Sequence, residues 1–316
     1  MPSNVIPSSA TIGAAISKPS SGRWWLLPHL LSLDAPLVAI VWQSVFGWTL
    51  GTAVRWPETL VLYLSVWIAY AGDRVFDAWR LETRDRSSVR LGFREAIATP
   101  AARHRFSAEN RSALLWAMGV ALLADLWVAH SQLSADLLRT GYPLALAAIA
   151  YVGAAQFLKG FGHWWIAKEL TVGLIIAAGA MWVPMAEGAS AEYTLLLLCA
   201  AAWLCGWNCV AISLWEKAEP DDPSGHKGAP ARARERLLAH LTVYFHQWTI
   251  VGAIAVTLLG AATGSAHGLA AGCSLGTAML LLRAVHASGA FLSDDARRVF
   301  ADVVLLVPAL LLLLPR

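Results

Sequence analysis

Long apolar stretches separated by polar or charged segments dominate this chain. Crossing a bilayer takes about 20 mainly apolar residues per helix, and nine stretches approach that length. They lie near residues 35–53, 57–72, 112–130, 141–157, 167–185, 193–215, 241–262, 267–288 and 299–315. Several are short or contain polar residues, so eight spans are an alternative. The pattern predicts an all-α, polytopic membrane protein.

Composition and charge agree with that interpretation and orient the molecule. Of the 316 residues, 57% are hydrophobic and 14% are charged, whereas soluble proteins average roughly 25% charged residues. Positively charged loops stay on the cytoplasmic side of a membrane, and only three of the 24 Lys and Arg residues (Arg55, Arg139 and Arg316) fall on the other side. We therefore expect an inner-membrane protein with a cytoplasmic N-terminus. Topology explains the net charge of +3, and no nucleic-acid partner is expected.

The chain is expected to form one domain with a short tail. Residues 1–22 are polar and rich in Ser, Ala and Pro, which predicts a disordered cytoplasmic tail and not a secretory signal. Residues 23–316 form a single transmembrane helical domain. Spans 2 and 6 both end in acidic residues before a long charged loop, and four helices separate the two motifs. This approximate repeat predicts two four-helix halves plus a ninth helix, with a site between the halves.

Small residues inside the spans indicate close helix packing. Glycine recurs every four residues at positions 264, 268, 272 and 276, and such a stripe lets two helix backbones approach closely in a membrane. The four cysteines all lie in predicted spans without a CxxC spacing. We interpret both features as packing, without chemistry.

Two acidic motifs are the candidate metal ligands. Asp73 and Asp77 are four residues apart, on one face of a helix, and Mg2+ prefers such carboxylate oxygens. Arg80, or Arg74, can instead pair with these acids as a structural ion network. In span 6, Glu216 follows Asn208 by eight residues on a similar face, which suggests a second set of oxygen ligands. The alternative is two unrelated solvated loops.

Basic residues on the same predicted face are candidates for phosphate binding. Lys159 and Lys168 flank the loop after span 4, and Lys227 lies in the loop after span 6. A Lys ammonium binds phosphate as a point charge. Arg80 is a further candidate for contact with the substrate. Lys168 stands beside Glu169, so a local neighbour effect or snorkelling is the alternative for it. For the intramembrane acids Asp34, Asp125 and Asp302 we expect structural roles, although such residues often mark function.

The acidic motifs after spans 2 and 6 resemble those of the UbiA superfamily of intramembrane prenyltransferases. The likeness covers roughly residues 30–290. It includes Tyr151…Lys159-Gly-Phe-Gly…Lys168-Glu-Leu-Thr-Val-Gly173, and Asn208…Glu216 followed by Gly225-His-Lys227. Where the family has further acids or Asn, this chain has Ala69, Tyr70 and Ile212, and Glu216 replaces the final Asp. The resemblance is to a divergent member.

The resemblance implies nine helices around a lipid-open cavity and a Mg2+-dependent transfer of a prenyl group. A prenyl diphosphate would bind through Mg2+ to Asp73, Asp77, Asn208 and Glu216, with Lys159, Lys168 and Lys227 neutralising the diphosphate. An aromatic or other acceptor in the membrane, which the sequence does not identify, would receive the prenyl group. A terpene cyclase that uses the same ionisation step is one alternative. A non-catalytic membrane carrier or partner protein is the other.

Overall fold

A computed structural model describes residues 27–90, 102–157, 164–217 and 229–314. Their regular structure is helical, and no strand occurs within these ranges. The helices are α1 (Leu27–Leu30), α2 (Asp34–Leu50), α3 (Trp56–Arg90), α4 (Ala102–Glu109), α5 (Arg111–Gln132), α6 (Ala135–Phe157), α7 (Trp164–Ala186), α8 (Ala191–Lys217), α9 (Ala229–Ala262), α10 (Ala266–Ala287) and α11 (Asp294–Val304). One short 3-10 helix, Ser288–Ala290, lies between α10 and α11, and a second, Val307–Leu313, follows α11. The all-α prediction is confirmed for these ranges.

Six of these helices are long and apolar enough to cross a membrane. The qualifying segments are Arg111–Gln132, Ala135–Ala155, Ala167–Ala186, Ala191–Trp215, Ala239–Ala262 and Ala266–Ala287. They coincide with the six central predicted spans. Helices α5 to α10 are therefore compatible with a multi-pass membrane protein.

The predicted count of nine spans is not confirmed in the described ranges. Helix α2 has 17 residues, slightly short of a full crossing. Helix α3 has 35 residues and continues beyond the predicted span 57–72 through a charged segment to Arg90. The predicted ninth span, 299–315, is divided between the end of α11 and the 3-10 helix Val307–Leu313. Pro308 lies at the start of that second piece, where it cannot donate the hydrogen bond that would continue an α-helix.

The apolar core lies where α2 packs against α7 and where α8, α9 and α10 meet. Among its largest fully buried side chains are Trp42, Phe46, Met181, Leu204 and Met279. Helix α5, in contrast, exposes Trp116 at 78% and Leu123 at 70% of their surface. Large apolar patches of this kind mark contact with a membrane or a partner. The outer surface of α5 is accordingly suited to lipid.

The predicted glycine stripe is confirmed as a close contact between α9 and α10. A Cβ atom added to Gly272 would lie 2.7 Å from the Val256 carbonyl oxygen, and one added to Gly276 would lie 2.5 Å from Thr257 Oγ1. Gly264 is different, because it forms the turn between the two helices with φ +65°. That left-handed conformation favours glycine because a residue without a Cβ atom adopts it without steric cost.

The buried Asp125 on α5 lies against α3, where its Oδ2 accepts a hydrogen bond of 2.8 Å from Ser65 Oγ. Its Oδ1 has no hydrogen-bond partner among the described residues. His130, five residues further along α5, contacts the Tyr142 hydroxyl at 3.0 Å. A carboxylate with a single neutral partner is costly in apolar surroundings, so Asp125 is expected to be the neutral acid.

Asp125→Asn is therefore expected to change the free energy of unfolding by less than about 1 kcal/mol. The amide keeps the shape of the neutral acid and can still accept the hydrogen bond from Ser65. Reversible unfolding in mixed micelles would measure the change, with Ser65→Ala expected to cost about 1 kcal/mol. A loss of about 3 kcal/mol or more in Asp125→Asn would instead indicate a charged, paired carboxylate.

Candidate functional site

Half-buried charged side chains from the middle of α3 and from the first turns of α7 meet near the last turns of α6 and α8. We call Asp73, Asp77, Tyr151, Lys168 and Glu169 the acid–lysine cluster. Lys168 interacts electrostatically with Asp73, Asp77 and Glu169, and Tyr151 interacts with the same three acids. The cluster therefore unites side chains that are up to 96 positions apart in the sequence.

Helix geometry explains this arrangement. Asp73 and Asp77 are one turn apart on α3, and therefore present both carboxylates on one side of that helix. The Tyr151 hydroxyl on α6 donates a hydrogen bond of 3.4 Å to the backbone carbonyl of Lys168. The buried Ser213 on α8 donates one of 2.7 Å to Glu169 Oε1. Helices α6 and α8 thus fix the first turns of α7, where Lys168 and Glu169 lie.

A glycine contact brings α7 and α8 close enough for the Ser213 hydrogen bond. A Cβ atom added to Gly173 would lie 2.4 Å from the backbone nitrogen of Gly206 and 2.7 Å from the carbonyl oxygen of Ala202. A side chain at this position would therefore meet backbone atoms, which cannot rotate away. The absence of a side chain at residue 173 sets the spacing of the helices beside the cluster.

The cluster combines oxygen ligands with a positive charge. It contains three carboxyl groups and one ammonium group, so acidic side chains outnumber basic ones in the cluster. Hard divalent cations bind carboxylate oxygens, and an ammonium group attracts phosphate. These side chains therefore fit a divalent cation together with an anionic substrate group. Ser213, three residues before Glu216, was not expected from the sequence, since one Ser on an apolar helix carries no distinctive signal.

The structure brings together three of the predicted site residues, namely Asp73, Asp77 and Lys168. Glu216 belongs to the last turn of α8, but its side chain lies outside the described part of the structure, as does that of Arg80. Lys159 and Lys227 also lie outside the described residues. The structure places Asn208 elsewhere, since its Nδ2 donates to Asp302 Oδ1 at 3.3 Å.

Asn208 belongs to a second group, which we call the buried polar cluster: His29, Asp34, Arg74, Asn208 and Asp302. The Nδ1 atom of His29 lies 2.8 Å from Asp34 Oδ2 and 3.9 Å from Asp302 Oδ2. Arg74 Nη2 donates to Asp34 Oδ2 at 3.4 Å, and Nη1 donates to the carbonyl oxygen of His29. This group joins α1, α2, α3, α8 and α11.

Charge and hydrogen bonding favour an ionised Asp34 at the start of α2. Burial by itself would raise the pKa of the Asp34 carboxyl, but the hydrogen bond from His29 and the positive charge of Arg74 hold that pKa below its ordinary value. Asp34 does not cap α2 with its side chain, since Leu33 occupies the N-cap position. Asp34 stabilises the fold through His29 and Arg74 instead.

A cavity of about 260 Å3 lies at the end of the helix bundle opposite to the two clusters. Its wall includes Thr49 of α2, Tyr193 of α8 and His267 of α10. Neither the acid–lysine cluster nor the buried polar cluster borders it. Both clusters of charged residues therefore lie outside this cavity.

Comparisons with protein families, with curated proteins and with solved structures gave no match to this chain. Function is therefore inferred from the residues and their geometry. The resemblance to the UbiA superfamily stays a prediction from the motifs quoted above.

Proposed function

We propose that this protein is a divergent, Mg2+-dependent intramembrane prenyltransferase that moves a prenyl group from a polyprenyl diphosphate to an acceptor in the membrane. The observation that carries the proposal is the electrostatic interaction of Lys168 with both Asp73 and Asp77. It unites a phosphate-binding group with two candidate metal ligands across α3 and α7. The six apolar helices supply an environment in which an isoprenoid chain is soluble.

In this proposal the acidic residues bind the metal ion and the basic residues bind the diphosphate. Asp73 and Asp77 hold the metal ion, with Glu216 as the expected ligand from α8. Lys168 neutralises the diphosphate, and Lys159, Lys227 and Arg80 are the further basic candidates. Asn208 is left out of this set because its amide donates to Asp302. When bound, Mg2+ supplies Lewis-acid stabilisation of the diphosphate oxygens.

The reaction separates charge, and the cluster stabilises that separation. The allylic C–O bond breaks, and its electron pair leaves with the diphosphate. The carbon cation that remains is captured by a nucleophilic atom of the acceptor, which then loses a proton. Negative charge grows on the leaving group in the transition state, so a preplaced ammonium at Lys168 lowers the barrier. Apolar helices keep water away from the cation, because water would otherwise add to it and give the alcohol.

Purified protein in nanodiscs, incubated with allylic diphosphates of several chain lengths and with Mg2+, is expected to release pyrophosphate. Chelation of the metal with EDTA should abolish release, and excess Mg2+ should restore it. Asp77→Asn is expected to lower the rate by about a hundredfold or more, because one charged ligand of the ion is lost. Coupled detection of pyrophosphate measures the rate, and mass spectrometry identifies the prenylated product.

Asp136→Asn is the matched control for this experiment. Its carboxylate is 72% exposed and pairs only locally, with Arg139, at the other end of α6, so activity should be unchanged. Release with a cyclic hydrocarbon product and no acceptor would identify the cyclase alternative. Absence of release with every diphosphate and candidate acceptor would contradict the enzymatic proposal and favour the carrier or partner protein.

A further inference from the structure

The buried polar cluster has the geometry of a metal site in addition to its ion pairs. One ligand atom each from His29, Asp34 and Asp302 lie within 4.8 Å of one another. Ligands at about 2.0–2.2 Å from a common ion are separated by roughly 3–4.4 Å. A small inward shift of these side chains therefore suffices to coordinate one ion.

Two buried oxygens without a hydrogen-bond donor among the described residues give independent evidence for a cation site. Asp34 Oδ1 and Asn208 Oδ1 are both buried and have no hydrogen-bond partner among the described residues. The Asp34 side chain is 9% exposed, and Asn208 is 2% exposed. A buried acceptor without a donor is costly. Asn208 contacts Asp302 and Asp34 contacts His29, so both oxygens belong to residues that adjoin the three clustered ligand atoms.

Arg74 holds one of the candidate ligands in place. Arg74 donates to Asp34 Oδ2, so it orients this carboxylate without covering Oδ1. A partner that fixes a ligand from the outside in this way is common around protein metal sites.

We propose that His29, Asp34, Asp302 and Asn208 bind one divalent transition-metal ion, such as Mn2+ or Zn2+, at a site separate from the acid–lysine cluster. An imidazole nitrogen suits transition metals, whereas carboxylate and amide oxygens are also accepted by Mn2+. The ligands come from α1, α2, α8 and α11. The ion therefore fastens α1 and α11, near the two ends of the described chain, to the core helices.

The proposed ion is expected to be structural, so it is tested by binding and stability, without substrate. The probe is Mn2+ alone, and the protein is the full chain in detergent with both Asp73 and Asp77 replaced by Asn. Without these two carboxylates the acid–lysine cluster cannot hold a metal ion as proposed. The measurement therefore does not depend on whether the protein is an enzyme. Electron paramagnetic resonance of free Mn2+ is expected to reveal one bound ion per chain. Mn2+ should also raise the thermal midpoint.

Asp302→Asn in the same background is expected to weaken Mn2+ binding by about tenfold or more, because a charged ligand is lost. Asn208→Ala removes only a neutral ligand and should weaken binding less. Asp136→Asn, which removes an exposed carboxylate at the other end of the helices, should leave binding unchanged. Asn208→Ala and His29→Gln keep the proposal testable where Asp302→Asn fails to fold.

The proposal is overturned if the background protein binds no Mn2+ or Zn2+, or if binding is unaffected by Asp302→Asn, Asn208→Ala and His29→Gln. Either result would identify the cluster as a closed network of ion pairs centred on Arg74. A failure of pyrophosphate release in the otherwise natural chain, with Mn2+ binding retained at His29 and Asp302, would contradict the enzymatic proposal alone. The two proposals are thus separable.

Discussion

Lys168→Gln is expected to slow pyrophosphate release by about a hundredfold or more, a loss typical of removing one preplaced transition-state contact. The ammonium group interacts with Asp73, Asp77 and Glu169, and under the proposed mechanism it also faces the leaving diphosphate. Its positive charge opposes metal binding to these acids. The same substitution should therefore leave Mg2+ affinity unchanged or raise it, while the turnover rate falls.

This opposite effect on rate and on metal affinity distinguishes a phosphate contact from a structural ion pair. Lys168→Arg keeps the charge and should retain more activity than Lys168→Gln, although guanidinium geometry differs. Arg139→Gln is the control, since Arg139 is 80% exposed and pairs with Asp136 away from the cluster. Full activity in Lys168→Gln, or an equal fall in Mg2+ affinity and rate, would assign Lys168 a structural role.

Hydropathy predicted the six central spans well because each is a continuous apolar helix with few charges. It did not predict the break within the last apolar stretch, for a physical reason. Residues 299–315 are apolar, but average hydropathy does not register the break beside Pro308, after which the chain forms the 3-10 helix Val307–Leu313. Likewise, α3 does not end with the apolar stretch but continues through Asp73 and Asp77 to Arg90. Once a helix has formed, adding charged residues with good helix propensity at its end is favourable.

The acid–lysine cluster was predictable in part because acidic residues four apart necessarily share a helix face. Asn208 shows the limit of such reasoning. Eight residues rotate a helix by about 80° beyond two full turns, and the amide of Asn208 contacts Asp302 on α11. Only the packing of α8 against α7 and α11 reveals that Ser213 and Asn208 serve different clusters.

The buried polar cluster was beyond prediction, since its members lie on five helices without a common motif. Asp34 and Asp302 each appeared as isolated acids beside apolar spans. Their pairing depends on how α1 and α11 fold against α2, which local sequence patterns do not specify. Neighbouring residues on α3 point to different places, so Asp73 joins the acid–lysine cluster while Arg74 joins the buried polar cluster.

The contact between Gly173 and Gly206 determines whether α7 and α8 can position the acid–lysine cluster. Gly173→Ala is expected to lower the free energy of unfolding by about 3 kcal/mol, at the upper end of the usual cost of overpacking. The new Cβ would meet the Gly206 nitrogen at 2.4 Å and the Ala202 oxygen at 2.7 Å. Since both are backbone atoms, the helices must separate, which stretches the hydrogen bond from Ser213 to Glu169.

Gly119→Ala on α5 is the matched control, because a Cβ added there meets no atom within 4 Å. Alanine is a better helix former than glycine, so this variant should gain up to about 1 kcal/mol in stability. Reversible unfolding in mixed micelles gives both free energies, and pyrophosphate release reports on the cluster. Opposite signs for the two variants, with activity lost only in Gly173→Ala, are expected because α7 carries Lys168 and Glu169 while α5 carries no residue of the cluster. Equal stabilities would contradict the close approach of α7 and α8.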